Sequence, residues 1–89
     1  MLVLPHNITH ANARTCAYML AQALRGQQEA VVADAAGLLA FDSSALAVLL
    51  ECRREAQLHG KRFSVRGLPQ RLRALACLYG VAELLPAAP

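Results

Sequence analysis

The sequence predicts an α/β fold in which short strands alternate with amphipathic helices. Apolar residues make up 56 % of the 89-residue chain, but 18 Ala and 16 Leu dominate them, with two Phe, two Tyr and no Trp. That composition favours packed helices over an all-β sandwich, which requires more β-branched and aromatic side chains. Helical periodicity recurs three times, and an apolar or alternating segment precedes each helix. This alternation indicates a layered α/β domain with right-handed crossovers.

The N-terminal part of the chain predicts one strand and one helix. Met1–Leu4 is a short apolar strand that ends at Pro5. Thr9 is an N-cap candidate for a helix that continues to about Arg25, with Gly26 as its stop signal. Its inward face is expected to carry the residues at helical spacing, namely Ala13, Cys16, Ala17, Leu20 and Leu24.

The central part predicts a second strand and a second helix. Ala30–Ala33 is uniformly apolar, as expected for a strand buried on both faces, and an apolar turn follows over Gly37–Phe41. Asp42-Ser43-Ser44 offers side-chain oxygens to the start of a helix that runs to about Leu58, before Gly60. Its inward residues are predicted to be Ala45, Val48, Leu49, Cys52 and Ala56.

The C-terminal part predicts a third strand and a third helix. Arg62–Arg66 alternates polar and apolar residues, which is typical of a half-exposed strand with Phe63 and Val65 facing the core. Pro69 suits the first turn of a helix that ends before Gly80. The inward side chains of this helix are predicted to be Leu72, Leu75, Ala76 and Tyr79. After it we expect a short closing turn and then a disordered tail.

Composition excludes several classes of protein. Charged residues make up 17 % of a chain that is rich in apolar side chains, which argues against intrinsic disorder. The longest charge-free stretch is the first thirteen residues, shorter than the roughly 20 apolar residues of a membrane span. Nothing resembles a secretory signal, so we expect a cytoplasmic protein.

The cysteines and histidines predict neither a metal site nor a disulfide. Cys16, Cys52 and Cys77 are odd in number and widely spaced, and each is expected to be a buried small hydrophobe. His6 and His10 have the spacing of a helical metal pair, but His6 precedes the predicted helix and no third ligand is evident. We expect no cofactor.

The net charge of +3 is concentrated in one segment. Seven basic residues and one acid, Glu55, lie between Arg53 and Arg73. Phe63 is the one aromatic residue among them, whereas single-strand binders intersperse aromatic side chains for base stacking. We therefore expect a solvated basic surface or a protein contact rather than direct binding of nucleic acid.

Ser43 and Ser44 are candidates for a functional site because they lie at a predicted helix N-terminus, which stabilises negative charge. A hydroxyl group there is well placed to accept a phosphoryl group. The alternative is an ordinary Asp/Ser cap without chemistry, and both interpretations remain open. A hydrolase is disfavoured because the sequence lacks G-x-S-x-G and spaces no acid to orient a histidine. The chain is not expected to be an enzyme.

Four segments resemble the STAS domain family of anti-sigma-factor antagonists, in particular its MlaB-like branch. They are VVAD at 31–34 with DSSAL at 42–46, KRFSVRGLP at 61–69, and LACLYGV at 75–81. The resemblance implies a single domain over residues 1–86, with 87–89 as a disordered tail. It also implies a mixed sheet of three to four strands, with three to four helices packed mainly on one face. The family's usual first strand is missing or reduced, so a partner strand could complete the sheet edge.

The resemblance implies a non-enzymatic interaction subunit. In the MlaB-like branch, such a subunit binds the cytoplasmic ATPase of an Mla-type phospholipid ABC transporter and supports its assembly and activity. It is held at the inner membrane through that partner, without inserting into the membrane. In the alternative branch, an anti-sigma kinase phosphorylates the serine that corresponds to Ser43. The expected contact or modification residues are Asp42, Ser43, Ser44, Ala45 and Leu46, and a possible basic contact surface comprises Arg53, Arg54, Arg71 and Arg73. A weak homodimer is a further possibility.

Overall fold

Helices and parallel strands alternate along the chain, which confirms the predicted α/β fold. The computed structural model describes residues 1–88. Its elements, in chain order, are β1 (Leu2–Val3), β2 (Asn7–Ile8), α1 (Ala13–Leu24), β3 (Ala30–Asp34), β4 (Ala40–Phe41), α2 (Ser44–Leu58), β5 (Arg62–Arg66), α3 (Gln70–Leu78) and a 3-10 turn (Ala82–Leu84).

Two small sheets organise the strands. One has the order β1-β3-β5 and the other pairs β2 with β4. Within the described residues all paired strands are parallel. The prediction of a mixed sheet is therefore wrong, and both sheets are parallel. The reason is that α1 lies in the connection from β1 to β3 and α2 in the connection from β3 to β5, and such crossovers return the chain in the same direction.

The core lies on one face of the three-stranded sheet. Leu2, Ala33 and Val65 are aligned across β1, β3 and β5, and all three are buried. On the opposite face Val3 is 68 % exposed and Val32 is half-buried. The expectation that the central strand is buried on both faces is therefore wrong. Helices α1 and α2 pack on each other, with α1 also against β1 and α2 against β5, and the face that carries Val3 stays open.

The predicted inward faces of α1 and α2 are confirmed. Cys16, Leu20 and Leu24 of α1 are buried, with the two predicted alanines of that face partly buried. In α2 all five predicted residues are buried, together with Leu46. Burial raises the pKa of the Cys52 thiol to about 12, with smaller contributions from neighbouring carboxylates. This cysteine behaves as the small hydrophobe that the sequence predicts.

Two predictions about helix α3 are wrong. Leu72 and Ala76 are buried, but Tyr79 is 58 % exposed and Cys77 is also exposed. Tyr79 is the C-cap residue rather than part of the helix, so the helical periodicity no longer fixes its direction. Cys77 follows the buried Ala76 around the helix and points away from the core.

The start of α1 also differs from the sequence prediction. The helix begins at Ala13 instead of directly after Thr9. The Asn12 side chain accepts a hydrogen bond from the Thr9 N–H (2.8 Å) and donates to the Asn7 carbonyl (3.1 Å). These bonds close a turn over residues 9–12, and the helix follows that turn.

The segments 37–41 and 87–88 are more ordered than the sequence predicts. Ala40 and Phe41 form strand β4, where an apolar turn was expected. At the C-terminus Ala87 forms a bridge with Val65, and the Ala88 N–H donates to the Val65 carbonyl (2.9 Å). The expected disordered tail at 87–89 also includes Pro89, which lies outside the described residues. Across residues 1–88, no helix is both long enough and apolar enough to cross a bilayer.

Substitution of Gly67 by Ala is expected to destabilise the fold more than the same change at Gly60. Both glycines have positive φ, +67° and +69°, so the backbone penalty is shared, at about 1 kcal/mol. A Cβ at position 67 would lie 2.9 Å from the Ala36 Cβ, whereas one at position 60 would meet nothing within 4 Å. Urea unfolding of both variants measures the difference, and equal loss of stability would contradict the close approach at Gly67.

Candidate functional site

The candidate site lies at the N-terminal end of α2, directly after β4. The Asp42 carboxylate accepts one hydrogen bond from the Ser44 N–H (2.8 Å) and a second from the His10 N–H (2.9 Å). The first bond satisfies a free donor at the start of the helix, and the second ties the helix to the loop before α1. These two hydrogen bonds, first that from His10 and then that from Ser44, hold the pKa of Asp42 below its ordinary value.

The Ser43 hydroxyl is exposed and takes no part in capping the helix. Ser43 occupies the N-cap position, but within residues 1–88 it makes no side-chain capping hydrogen bond. Asp42 performs that role instead. The sequence left open whether these residues form an ordinary helix cap or a site for a phosphoryl group. Asp42 is the cap, and the Ser43 hydroxyl group stays free for a partner or for modification.

A groove of about 580 Å³ opens beside Ser43. Phe41, Asp42 and Ser43 form one wall, and helix α3 forms the other with Arg71, Ala74, Leu75 and Leu78. The Arg71 guanidinium lies 5.7 Å from the centre of the Phe41 ring, close enough for a cation–π interaction between the two walls. Leu78 is 77 % exposed at the edge of the groove. The groove thus combines a hydroxyl group, a carboxylate, a cation and apolar surface.

Of the five residues that the sequence assigns to this site, three are at the surface. Asp42, Ser43 and Ser44 are exposed or half-exposed, while Ala45 and Leu46 are 0 % and 3 % exposed. The last two pack into the core, so they hold the helix in position and their side chains are not available for contact. This burial corrects their assignment as contact residues.

The four predicted basic residues do not line one common groove. Arg71 lines the groove beside Ser43, but Arg73 lines a separate groove towards Pro86. Arg54 forms an ion pair with Glu51 on the surface of α2, and Arg53 faces a third groove with Lys61. Arg71 is therefore the predicted cation that belongs to the candidate site.

The histidines do not form a catalytic pair with Ser43 in the described part of the chain. The Nδ1 atom of His6 is hydrogen-bonded to the Gly37 carbonyl (2.9 Å), and His10 contacts Asp42 through its backbone. His59 lies at the other end of α2. Among residues 1–88 no three His, Cys, Asp or Glu side chains are grouped to hold a metal ion.

Sequence reasoning missed most of the second wall of the groove. Leu75 packs against the core, as predicted, but it also lines the groove, and Ala74 and Leu78 were not assigned to the site. A local signal exists for Leu78, because it lies outside the stripe of Leu72 and Ala76 that packs inward. That signal marks an exposed leucine but does not say which element faces it.

The comparison with known proteins identifies the family. A family model described as Mlab, STAS domain matches residues 1–86 of the chain. The matched residues include both walls of the groove beside Ser43. No curated protein matches the chain at a significant level.

Substitution of Asp42 by Ala is expected to lower the midpoint of urea unfolding, because two N–H groups lose their acceptor. The folded-state pKa of Asp42 lies below its unfolded value, so its contribution is fully present above the ordinary value of 3.8. That contribution is lost as the pH falls through the lowered folded-state pKa. Urea unfolding of wild type and variant at pH values from 7 to 2 measures the difference between their midpoints. That difference should become smaller only below about pH 4.

Asp34 provides the control because its carboxylate accepts a single backbone hydrogen bond, from Ala36. Asp34→Ala is expected to lower the midpoint less than Asp42→Ala. A difference between wild type and Asp42→Ala that stays constant down to pH 2 would contradict the proposed role of the carboxylate.

Proposed function

The chain belongs to the STAS domain family, and from this premise we propose that it is a non-enzymatic interaction subunit of an Mla-type phospholipid ABC transporter. In this proposal residues 1–86 act as a single domain that binds the cytoplasmic ATPase and supports its assembly and activity. The observation that carries the proposal is the groove at the start of α2, which is lined by Ser43, by Arg71 and by exposed apolar surface of α3. The match to the Mlab family model directs the choice of partner.

The chemistry of the groove defines what the ATPase must present. Phe41, Leu75 and Leu78 provide an apolar floor and edge for a partner side chain such as Leu, Met or Phe. Arg71 is exposed and lies within the same groove, where it favours an acidic residue of the partner. Ser43 lines the same groove as Arg71, so a bulky or anionic group at position 43 would occupy the partner's place.

The proposal assigns the nucleotide chemistry to the partner. The chain contains neither of the glycine-rich phosphate-binding motifs, G-x-x-x-x-G-K-[ST] and G-x-G-x-x-G. Binding at the groove would stabilise one arrangement of the ATPase, and by mass action the ATPase would stabilise this small domain in return. The protein would then be located at the cytoplasmic face of the inner membrane through its partner, without a cofactor.

An anti-sigma-factor antagonist is the second candidate function. The observation in its favour is that Ser43 is exposed, free of capping bonds and located at a helix N-terminus, in a groove that Arg71 also lines. A phosphate on that hydroxyl would find a cation and the positive end of the helix dipole nearby. In this case an anti-sigma kinase binds the unmodified groove, and the added charge of about −2 releases it.

Ser43→Glu is expected to reduce binding of the ATPase at least tenfold. Removing water from the new carboxylate in the groove is unfavourable, and the carboxylate competes with the partner's acidic residue for Arg71. The fold should not suffer, since an acidic side chain is favourable at a helix N-terminus. Affinity capture of the tagged protein from cells of its source, followed by quantification of the ATPase, measures the effect. Thr15→Glu on the exposed surface of α1 is the matched control, and it should retain the ATPase.

The same capture experiment separates the two functions. An ABC ATPase with its permease, lost in Ser43→Glu and kept in Thr15→Glu, supports the transporter subunit. A small kinase in the eluate, together with the mass of one phosphoryl group on Ser43, supports the antagonist. Retention of the ATPase by Ser43→Glu would contradict the proposed binding site.

Reversal of the charge at position 71 is expected to weaken ATPase binding more than reversal at position 73. Both arginines are exposed on α3, but Arg71 lines the groove beside Ser43 and Arg73 lines another. We expect Arg71→Glu to raise the dissociation constant at least tenfold and Arg73→Glu to change it less than threefold, as for a rim charge. Titration with purified ATPase at two salt concentrations measures both. Equal effects would favour general electrostatic steering over a contact at Arg71.

A further inference from the structure

The Arg53 groove is the groove that the C-terminal half of α2 forms with the start of β5 and the 3-10 turn. Its volume is about 310 Å³, and it shares no lining residue with the groove beside Ser43. Its charged lining residues are three cations and one acid, namely Arg53, Lys61, Arg62 and Glu83. The groove therefore carries an excess of two positive charges, which favours an anionic occupant.

The cations of the Arg53 groove are held in place without being neutralised. No ion pair within residues 1–88 includes Arg53, Lys61 or Arg62. The Arg53 guanidinium donates instead to the Gln57 side chain (3.4 Å), and the Lys61 ammonium donates to the Gln27 carbonyl. Both acceptors are neutral, so they orient the two side chains and leave their charge available. The groove is thus prearranged for anionic groups of a partner.

The backbone of β5 has a free edge at the same groove. The Arg62 N–H donates to the Glu29 carbonyl (2.8 Å), so the even-numbered residues of β5 pair with the β3 side. The odd-numbered residues point the other way, and the Val65 N–H donates to the Pro86 carbonyl (2.8 Å). Phe63 has the same orientation as Val65, but its N–H and C=O have no hydrogen-bond partner within residues 1–88. Phe63 also lines the Arg53 groove, so a donor and an acceptor lie next to the cations.

This edge of β5 already accepts an extended segment of the chain itself. Ala87 forms a parallel bridge with Val65, and the Ala88 N–H donates to the Val65 carbonyl (2.9 Å). Because the bridge is parallel, residues 86–88 run in the direction of Arg66 and leave Phe63 uncovered. An extended segment of another protein can pair with Phe63 in the same way, with its main chain supplying affinity and its side chains specificity.

Other anionic occupants fit the Arg53 groove less well than an acidic peptide. A bilayer surface is too broad to enter a groove, and none of the large, well-exposed apolar side chains lines this one. Single-stranded nucleic acid stacks on successive aromatic rings, whereas Phe63 is the one aromatic residue of the lining. A compact dianion such as phosphate would meet the Glu83 carboxylate in the same groove. A peptide can place its carboxylates at the cations and an uncharged side chain at Glu83.

We propose that the Arg53 groove binds an extended acidic segment of a partner protein. Its Asp or Glu side chains pair with Arg53, Lys61 and Arg62, and its main chain pairs with β5 at Phe63. The contact leaves the groove beside Ser43 free, so the inference does not depend on the function proposed for that groove.

Fluorescence anisotropy of a labelled peptide of about eight residues, in which Glu alternates with Thr, tests the proposal. We expect a dissociation constant between about 10 µM and 1 mM at low salt, and weaker binding at higher salt. Arg53→Glu and Arg62→Glu are each expected to raise the dissociation constant at least tenfold, because a carboxylate replaces a cation that the peptide needs. Glu83→Gln is expected to lower it, since the one repulsive charge of the groove is removed. Circular dichroism verifies that each variant is folded.

Arg14→Glu provides the matched control for the two arginine variants. Arg14 is exposed on α1 and does not line the Arg53 groove, so the same change of net charge should alter the dissociation constant less than threefold. A second control is the same peptide with ester links in place of its amide links. It keeps the carboxylates but has no main-chain donors, and we expect it to bind at least fivefold more weakly.

Three outcomes would overturn the proposal. The first is the absence of peptide binding at about 1 mM. The second is an equal loss of binding in Arg14→Glu and Arg62→Glu, or equal binding of the ester peptide. The third is tighter binding of phosphatidylglycerol vesicles, inorganic phosphate or a single-stranded oligonucleotide that depends on Arg53 and Arg62.

Discussion

The burial of one face of α2 is the constraint on which the rest of the structure depends. Ala45, Val48, Leu49, Cys52 and Ala56 are each 2 % exposed or less, and α2 contacts α1, α3 and β5. Each fully buried Leu or Val contributes about 1.5–3 kcal/mol relative to exposure, and the small alanines allow neighbouring elements to approach closely. Once this face is buried, the N-terminal end of the helix is fixed relative to α3. The position of Ser43 follows, because it is the residue directly before α2.

At the start of α2, Asp42 caps the helix, and the neighbouring Ser43 leaves its hydroxyl group free for another contact. The Asp42 carboxylate satisfies the backbone donors of Ser44 and His10. Ser43 consequently keeps its hydroxyl exposed in the groove, at the end of the helix where negative charge is stabilised. This arrangement is compatible with a polar contact to a partner protein and with a phosphoryl group. The hypothesis of ATPase binding and the hypothesis of phosphorylation therefore both involve Ser43.

The cations of the chain are distributed over several surfaces. Arg71 is integrated into the groove by its stacking on Phe41, whereas Arg54 is engaged by Glu51 at the surface of α2. A charge inside a docking groove contributes to the contact itself, while charges elsewhere act mainly on the rate and salt dependence of association. The charged groove at Ser43 is therefore distinct from the grooves that contain Arg53 and Arg73.

The sequence by itself determined the presence of the three helices, the buried faces of α1 and α2, and the five-residue strand β5. Periodicity over nine or more residues identifies a helix and its inward side, and Asp42-Ser43-Ser44 marks the start of α2 at the right place. These are local properties, so neighbouring residues are sufficient to establish them. The family resemblance, with the domain class that it implies, depended on the same local segments.

Only the tertiary structure decided which surfaces face each other. The two-residue strands β2 and β4 are too short to show a period, and they exist because residues 33 positions apart in the chain pair side by side. The exposure of Tyr79 and Cys77, the open face of β3 and the contact of Arg71 with Phe41 likewise depend on distant segments. Local sequence cannot specify these features, because burial and groove shape are set by whatever packs across from a residue.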